Sequence, residues 1–158
     1  MATIVKCSES DYAVLAGIWE RSVCATHDFL SEEDLRGIKA ALVPDYFPAV
    51  ELYAAVEGDT PVGFIGLSAD RIEMLFVDSD RRGCGYGSLL TDFAVRQGAL
   101  KVDVNEQNPA ALGFYLSKGF HHVSRDATDE AGRPYPILHL SLIDLYVVES
   151  YAPAPEAI

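Results

Sequence analysis

Residues 82–87 read Arg-Gly-Cys-Gly-Tyr-Gly and separate an apolar run, residues 72–77, from a stretch of helical periodicity, residues 88–97. The order is therefore strand, glycine-rich loop, helix. Glycines at alternate positions let the backbone turn tightly and approach a ligand without a Cβ in the way. Successive N–H groups at a helix N-terminus then form a concavity that suits a phosphate group. The glycine spacing alone leaves two interpretations open, a phosphate site or a tight strand-to-helix turn.

Short strands and amphipathic helices alternate along the rest of the chain. Ser8 and Ser31 are each followed three residues later by an acidic residue, which predicts that a helix begins after each serine. Around the glycine loop, strand, helix and strand form a crossover that predicts parallel pairing and places the loop at the carboxyl end of its strand. The predicted strands cover residues 2–6, 52–56, 62–68, 72–77, 100–104, 120–124 and 137–143.

Length and composition fit one domain. The chain has 158 residues, of which 49% are hydrophobic, and we expect a single domain over residues 1–148 with a frayed Pro/Ala-rich tail at residues 149–158. No uninterrupted apolar stretch approaches the ~20 residues that span a bilayer, and the N-terminus lacks a signal-peptide pattern, so a cytoplasmic protein is expected. Cys7, Cys24 and Cys84 are too widely spaced for a CxxC metal site and odd in number, which favours reduced thiols.

The charge balance bears on the partners. A net charge of −12, from 24 acidic and 12 basic residues, opposes the phosphate neutralisation that binding to DNA or RNA requires. The same field attracts a cationic small molecule, although acidity is also a general solubility feature. Arg81 and Arg82 place local positive charge beside the loop, where an anionic ligand needs it. We expect a small-molecule or peptide substrate, no nucleic acid and no membrane, and a monomer or homodimer.

Two sequence motifs follow one another along the chain. Residues 82–87 match R-x-x-G-x-G, and residues 108–120 match N-x-x-A-x-x-x-Y-x-x-x-G-F. In both motifs the sequence resembles the GNAT family of acyl-CoA-dependent N-acetyltransferases. The segments at residues 25–30 and 132–136 are similar to those of small YjaB-like bacterial members of that family.

The resemblance implies a fold and a cosubstrate. The fold is α/β, with a mixed, mostly antiparallel central sheet in which two parallel strands splay apart, flanked by about four helices. Acetyl-CoA enters as cosubstrate and no metal is involved. The resemblance assigns the pyrophosphate of acetyl-CoA to the backbone amides of the loop, namely those of Arg82, Gly83, Cys84, Gly85, Tyr86 and Gly87. It assigns the pantetheine arm to the strand edge at Phe76 and Val77. It also places Asn108 in contact with this arm, and the alternative role of Asn108 as a plain N-cap can coexist with that contact.

Acyl transfer from a thioester to an amine needs a neutral nucleophile and a proton for the departing thiolate. The resemblance places the phenol of Tyr115 near the CoA sulfur as the proton donor, whereas periodicity alone favours a core aromatic. Glu73 interrupts an apolar strand and is the candidate base, acting through a water, or else it faces solvent on an alternating strand. His27 and Asp28 follow the first helix, where they line the acceptor pocket or simply end the helix.

The sequence therefore predicts an acetyl-CoA-dependent N-acetyltransferase that acts on a primary amine of a small molecule or peptide by direct attack in a ternary complex. The alternative is a non-catalytic acyl-CoA-binding sensor or regulatory module of the same fold. Tyr115 and Glu73 favour the enzyme, because a module that only binds needs neither side chain. A nucleic-acid-directed acetyltransferase is disfavoured by the net charge. His121 and His122 are adjacent on a predicted strand and point to opposite faces, so no shared metal is expected.

Overall fold

A computed structural model describes residues 2–143. They form two compact units, one reaching to Ala99 and the other beginning at Leu100. The single domain over residues 1–148 stays a prediction, and the expected frayed tail at residues 149–158 lies outside the described residues.

The first unit carries four strands and three α-helices, which are β1 (Ala2–Lys6), α1 (Tyr12–Thr26), α2 (Glu32–Ala41), β2 (Glu51–Glu57), β3 (Thr60–Ser68), β4 (Arg71–Val77) and α3 (Tyr86–Arg96). The second carries β5 (Lys101–Asn105), α4 (Pro109–Ser117), β6 (His121–Asp126) and β7 (Ile137–Ser141). In the first unit β2 pairs with β1 and β3, and β3 pairs with β4, always antiparallel. In the second, β7 lies antiparallel between β5 and β6. The predicted α/β class with mostly antiparallel strands and four helices is confirmed.

The core of the first unit lies between α1 and its sheet. Apolar residues recur at helical spacing on α1, and these side chains are buried against strand residues that include Phe64. The ring of Phe64 contacts Phe47, with 5.8 Å between centroids, and Phe76 of β4 at 5.7 Å. The buried α1 residues are Leu15, Ile18, Trp19 and Val23. This aromatic row holds the carboxyl end of β4 against the core.

The predicted capping signals are confirmed. The Ser8 backbone N–H donates to the Asp11 carboxylate at 2.8 Å, within a capping box that precedes α1. The Ser31 hydroxyl accepts from the Asp34 N–H at 3.1 Å and begins α2. The end of the second helix, α2, is irregular. Its α-helical part stops at Ala41 and continues as a π-helical turn through Pro44, which has no N–H to donate.

An ionic clamp joins the three strands of the second unit. His139 of β7 places Nδ1 2.7 Å from a carboxylate oxygen of Asp103 on β5, and Nε2 2.6 Å from one of Asp126 on β6. Carboxylates only accept, so both ring nitrogens donate and the ring is an imidazolium. These two hydrogen bonds raise the pKa of His139 above its ordinary value.

We expect His139→Gln to remove a pH-dependent part of the stability. Because the pKa is raised on folding, the clamp stabilises fully below the unfolded value of about 6.5 and is lost as pH rises through the folded value. Solvent screening keeps its contribution within about 1 kcal/mol. Urea unfolding at pH 5.5 and pH 9 measures it, with His121→Gln, an exposed change on β6, as control. An equal pH dependence in wild type and His139→Gln would contradict the clamp.

Candidate active site

The loop that follows β4 leaves its backbone open to a ligand. It starts with a 3-10 turn, Ser79–Arg81, and continues through Gly83 and Gly85, whose φ angles are +78° and +88°. Side chains other than glycine rarely adopt these angles. A Cβ placed on either glycine would meet no atom within 4 Å. The space in front of both residues is therefore open.

The backbone N–H groups at the beginning of α3 are not used by backbone carbonyls of the described residues. The helix begins at Tyr86, with Gly85 as its N-cap, two residues before the sequence predicted. Among residues 2–143, no N–H of residues 85–88 donates to a backbone carbonyl, and the Leu89 N–H is the first to do so, to the Gly85 carbonyl at 3.0 Å. Orphan donors and the positive end of the helix dipole together attract an anion. This group fits the predicted pyrophosphate cradle.

Side chains on both flanks of the loop determine its charge. Arg81 lies 3.1 Å from Asp80 and 3.7 Å from Glu57 of β2, so carboxylates balance its charge. The Tyr86 phenol donates to the same Glu57, and that hydrogen bond raises the pKa of Tyr86. Arg82 is exposed and forms no ion pair with any residue in the described range. Of the two arginines, Arg82 offers the uncompensated charge for an anionic ligand.

Glu73 lies at a β-bulge. Met74 pairs with Gly66 of β3 and Ile72 pairs with Leu67, so Glu73 has no residue opposite it on β3. The bulge interrupts the regular alternation of the strand, and Glu73 still faces solvent, as one of its two sequence interpretations expects. Bulges occur often beside active sites, where they re-aim a side chain. Glu73 is exposed, and its role as base remains a proposal.

An ion pair joins α1 to the end of β4. Arg21 donates from Nε and from one terminal nitrogen to the two carboxylate oxygens of Asp78, at 2.9 and 2.8 Å. This hydrogen bonding to Arg21 holds the pKa of Asp78 below its usual value. Asp78 follows Val77, the last residue of β4, and opens the loop. The pair therefore fixes the position of α1 relative to the strand end from which the loop leaves.

His27 ends α1 beside the end of β4. Its ring lies 5.2 Å from that of Phe29 and 6.4 Å from that of Phe76, measured between centroids. Burial lowers the pKa of His27, so the imidazole is neutral near pH 7. Asp28 is exposed next to it. The structure therefore brings the His27 ring to that of Phe76, a predicted CoA-binding residue. His27 also caps α1, as the helix-end interpretation expects, and its place in the acceptor pocket stays a prediction.

The second unit carries the remaining predicted residues, Asn108 and Tyr115. The Asn108 side chain accepts from the Ala111 N–H at 3.2 Å and caps α4, as the plain N-cap interpretation expects. Tyr115 is 6% exposed and packs edge-on against Phe114 and Phe120. Burial raises its pKa, so the phenol stays protonated. Its hydroxyl makes no hydrogen bond to any residue that the structure describes, although buried tyrosines ordinarily have a partner.

Two kinds of feature are not found among residues 2–143. No group of three or more His, Cys, Asp or Glu side chains there is arranged to hold a metal ion. In the same range no helix is long and apolar enough to cross a membrane.

Comparison with known proteins decides the family. A model of the acetyltransferase (GNAT) domain matches residues 48–122. The peptidyl-lysine N-acetyltransferase YjaB of Escherichia coli K12 is 46% identical over 131 residues, which cover 82% of this chain and 88% of that protein. The chain belongs to the GNAT family of acetyltransferases. The predicted family and its YjaB-like subgroup are confirmed, and so is the prediction of an N-acetyltransferase.

Solved structures agree on the fold. The solution structure of apo YjaB from Escherichia coli has a TM-score of 0.83 and 39% identity, covering 90% of this chain and 98% of that one. PaiA N-acetyltransferase from Thermoplasma acidophilum, solved in complex with coenzyme A, has a TM-score of 0.65 at 20% identity, covering 88% of this chain and 98% of that one. At that identity the second likeness shows the fold alone.

Several contributing residues carry no local sequence signal. Glu57 holds Tyr86, and Arg21 holds Asp78, across 29 and 57 positions of the chain. Thr26, which hydrogen-bonds His27, is an ordinary residue at a helix end. Their roles depend on contacts between distant segments, which neither spacing nor periodicity displays.

We expect Gly85→Val to weaken CoA binding more than tenfold, or about 1.4 kcal/mol. A branched side chain at this positive φ strains the backbone and fills the open space in front of the N–H groups. Gly58→Val is the matched control, since Gly58 also has a positive φ of +63° and open surroundings, in the β2–β3 turn. Isothermal titration measures both. Unchanged affinity in folded Gly85→Val would place the pyrophosphate elsewhere.

Proposed function

We propose that this N-acetyltransferase moves an acetyl group from acetyl-CoA to the side-chain amine of a lysine in a peptide, or to a similar primary amine. The observation that carries the proposal is the open, glycine-capped start of α3, where the N–H groups of residues 85–88 are not used by backbone carbonyls of the described chain. The name of the relative YjaB, a peptidyl-lysine N-acetyltransferase, supports the acceptor.

Binding of acetyl-CoA is assigned to two kinds of group. Backbone amides of residues 82–87 hold the pyrophosphate, and the exposed guanidinium of Arg82 adds charge attraction. The backbone at Phe76 and Val77 pairs with the pantetheine amides as a neighbouring strand would. Asn108 contacts the same arm while its side-chain oxygen caps α4.

The reaction requires a neutral amine. A lysine amine with a pKa of about 10.4 is charged at pH 7, so presenting it neutral costs about 4–5 kcal/mol, which a base, a desolvating pocket or both must offset. The amine then attacks the thioester carbon directly, with both substrates bound. The sequence names Glu73, which lies at the bulge of β4, as the candidate base acting through a water, and that role stays a prediction.

Tyr115 is proposed to protonate the leaving thiolate. A CoA thiol has a pKa near 8.5, and burial raises that of Tyr115 well above its ordinary value of 10, so the phenol holds a proton throughout the working pH range. Phe114 and Phe120 fix the ring. The hydroxyl has no hydrogen-bond partner within the described residues, which leaves its proton for a ligand.

A cationic acceptor suits the charge of the chain. The net charge is −12, and an acidic first turn of α2, residues 32–34, follows shortly after Asp28 and the end of α1. Negative potential attracts a lysine side chain and repels an acidic one or a nucleic acid. This argument favours a lysine peptide over an anionic acceptor.

We expect the enzyme to acetylate a lysine peptide with release of CoA thiol, and Tyr115→Phe to lower kcat about 10²–10⁴-fold while CoA still binds. Only the hydroxyl is lost, so the ring keeps its packing. Tyr53→Phe is the control, because Tyr53 packs against Phe93 of α3 and has no assigned part in catalysis. Thiol release and peptide mass are measured together.

Two results would count against this proposal. Full kcat in Tyr115→Phe would remove the proton-donor role while leaving the transferase intact. CoA binding without transfer to lysine peptides or to any of a panel of amines would overturn the proposed reaction. Replacing the peptide lysine by arginine must abolish product if the lysine amine is the acceptor.

A further inference from the structure

The hydrogen bonds of His27 determine which of its nitrogens carries the proton. The Thr26 hydroxyl donates to the Ser22 carbonyl at 2.8 Å, so its single proton is already committed. His27 Nδ1 lies 2.7 Å from the same hydroxyl oxygen. Nδ1 must therefore be the donor, and in the neutral ring Nε2 carries the lone pair.

The surroundings keep this imidazole neutral and in place. Phe29 and Phe76 contact its ring, and burial opposes its protonation. The neighbouring elements carry the titratable or charged residues Tyr12, Glu20, Arg21 and Cys24 on α1, Asp28 in the following loop, and Arg71 and Glu73 on β4. Asp28 acts against burial and favours the charged ring, but burial is the larger effect.

We propose that Nε2 of His27 is the general base that takes the proton from the attacking amine. The inference rests on the proposed acetyl transfer and goes beyond it by naming a base other than Glu73. Phe76 connects His27 with the bound cosubstrate, because the Phe76 backbone is assigned to the pantetheine arm and the Phe76 ring lies 6.4 Å from that of His27, measured between centroids. A base oriented by a third group, here Thr26, follows the same logic as an oriented catalytic histidine in other acyl-transfer enzymes.

The proton balance is simple. The neutral amine nitrogen attacks the thioester carbon, a C–N bond forms, and the carbonyl oxygen takes the negative charge. The nitrogen then passes its extra proton to Nε2 of His27. The C–S bond breaks, and the sulfur leaves with the electron pair and takes the Tyr115 proton. His27 returns its proton to solvent, and Tyr115 regains one from solvent.

The chain of hydrogen bonds stabilises the charged ring once it forms. The imidazolium keeps Nδ1–H donating to Thr26, whose hydroxyl still donates to Ser22 at the end of α1. The C-terminal end of a helix carries partial negative charge and favours a cation nearby. Thr26 is thus a positioning residue, and Thr26→Ser keeps its hydroxyl while Thr26→Val removes it.

A pH profile tests the base directly. With a lysine peptide, log(kcat/KM) of the wild type should rise with a slope of about two below the His27 pKa, where base and amine both lose protons, and about one above it. That break should fall below pH ~6.5, the ordinary value for histidine. A carboxylate base with the ordinary pKa of a glutamate would place the break near pH ~4.3 instead.

We expect His27→Gln to lower kcat about 100-fold and to remove the break, with CoA affinity unchanged. Glu73→Gln should keep the break. Thr26→Val should lower kcat without raising the KM for acetyl-CoA, and Thr26→Ser should restore it. A break that survives in His27→Gln, or one that disappears in Glu73→Gln, would overturn the assignment while the transferase activity stands.

A second measurement uses only the wild-type protein at rest, so it depends neither on enzymatic turnover nor on the folding of a variant. Nitrogen-15 NMR of the wild-type imidazole distinguishes the two neutral tautomers, and we expect His27 to be protonated at Nδ1. Protonation at Nε2 would overturn the proposal whatever the kinetics show. Absence of transfer to any amine would instead overturn the proposed function on which this inference rests.

Discussion

The ion pair between Arg21 and Asp78 joins α1 to the start of the glycine loop, over a unit whose apolar core already holds α1 on its sheet. Two hydrogen bonds connect the planar guanidinium to both carboxylate oxygens, a geometry that fixes direction as well as distance. The Arg21 side chain is 54% exposed and that of Asp78 13%, so screening limits the energy of the pair. Its importance is positional, because α1 ends in His27 and Asp78 opens the glycine loop.

At the glycine loop, the backbone offers the donors for a ligand and the side chains support the loop. Backbone N–H groups of residues 85–88 are available to an anion because Gly85 takes a conformation that side chains avoid. Side chains support the loop from its flanks and leave the space in front of the glycines open. Glu57 accepts a hydrogen bond from Tyr86 and balances the charge of Arg81. The aromatic row from Phe47 through Phe64 to Phe76 supports β4 from beneath. A rigid support is what a site needs when its donors must be in place before the ligand arrives.

Local patterns predicted much of this arrangement. The glycine loop, the caps at Ser8, Ser31 and Asn108, and most strand positions follow from residues close together in sequence, and the structure has them. The role of Tyr115 follows from a motif and stays a prediction. The bulge at Glu73 was not predicted, because it depends on how β3 and β4 align. The tautomer of His27 likewise depends on Ser22 and Thr26 acting together in a folded helix.

The central claim is that the start of α3 holds the pyrophosphate of acetyl-CoA through its backbone. Amide NMR during a titration with CoA tests it most directly, since a hydrogen bond to phosphate moves an N–H proton signal strongly downfield. The account predicts that the largest downfield shifts fall within residues 82–88, and that dephosphorylated pantetheine, which lacks the pyrophosphate, leaves these signals in place. Shifts of equal size with pantetheine, or largest shifts outside the loop, would contradict it.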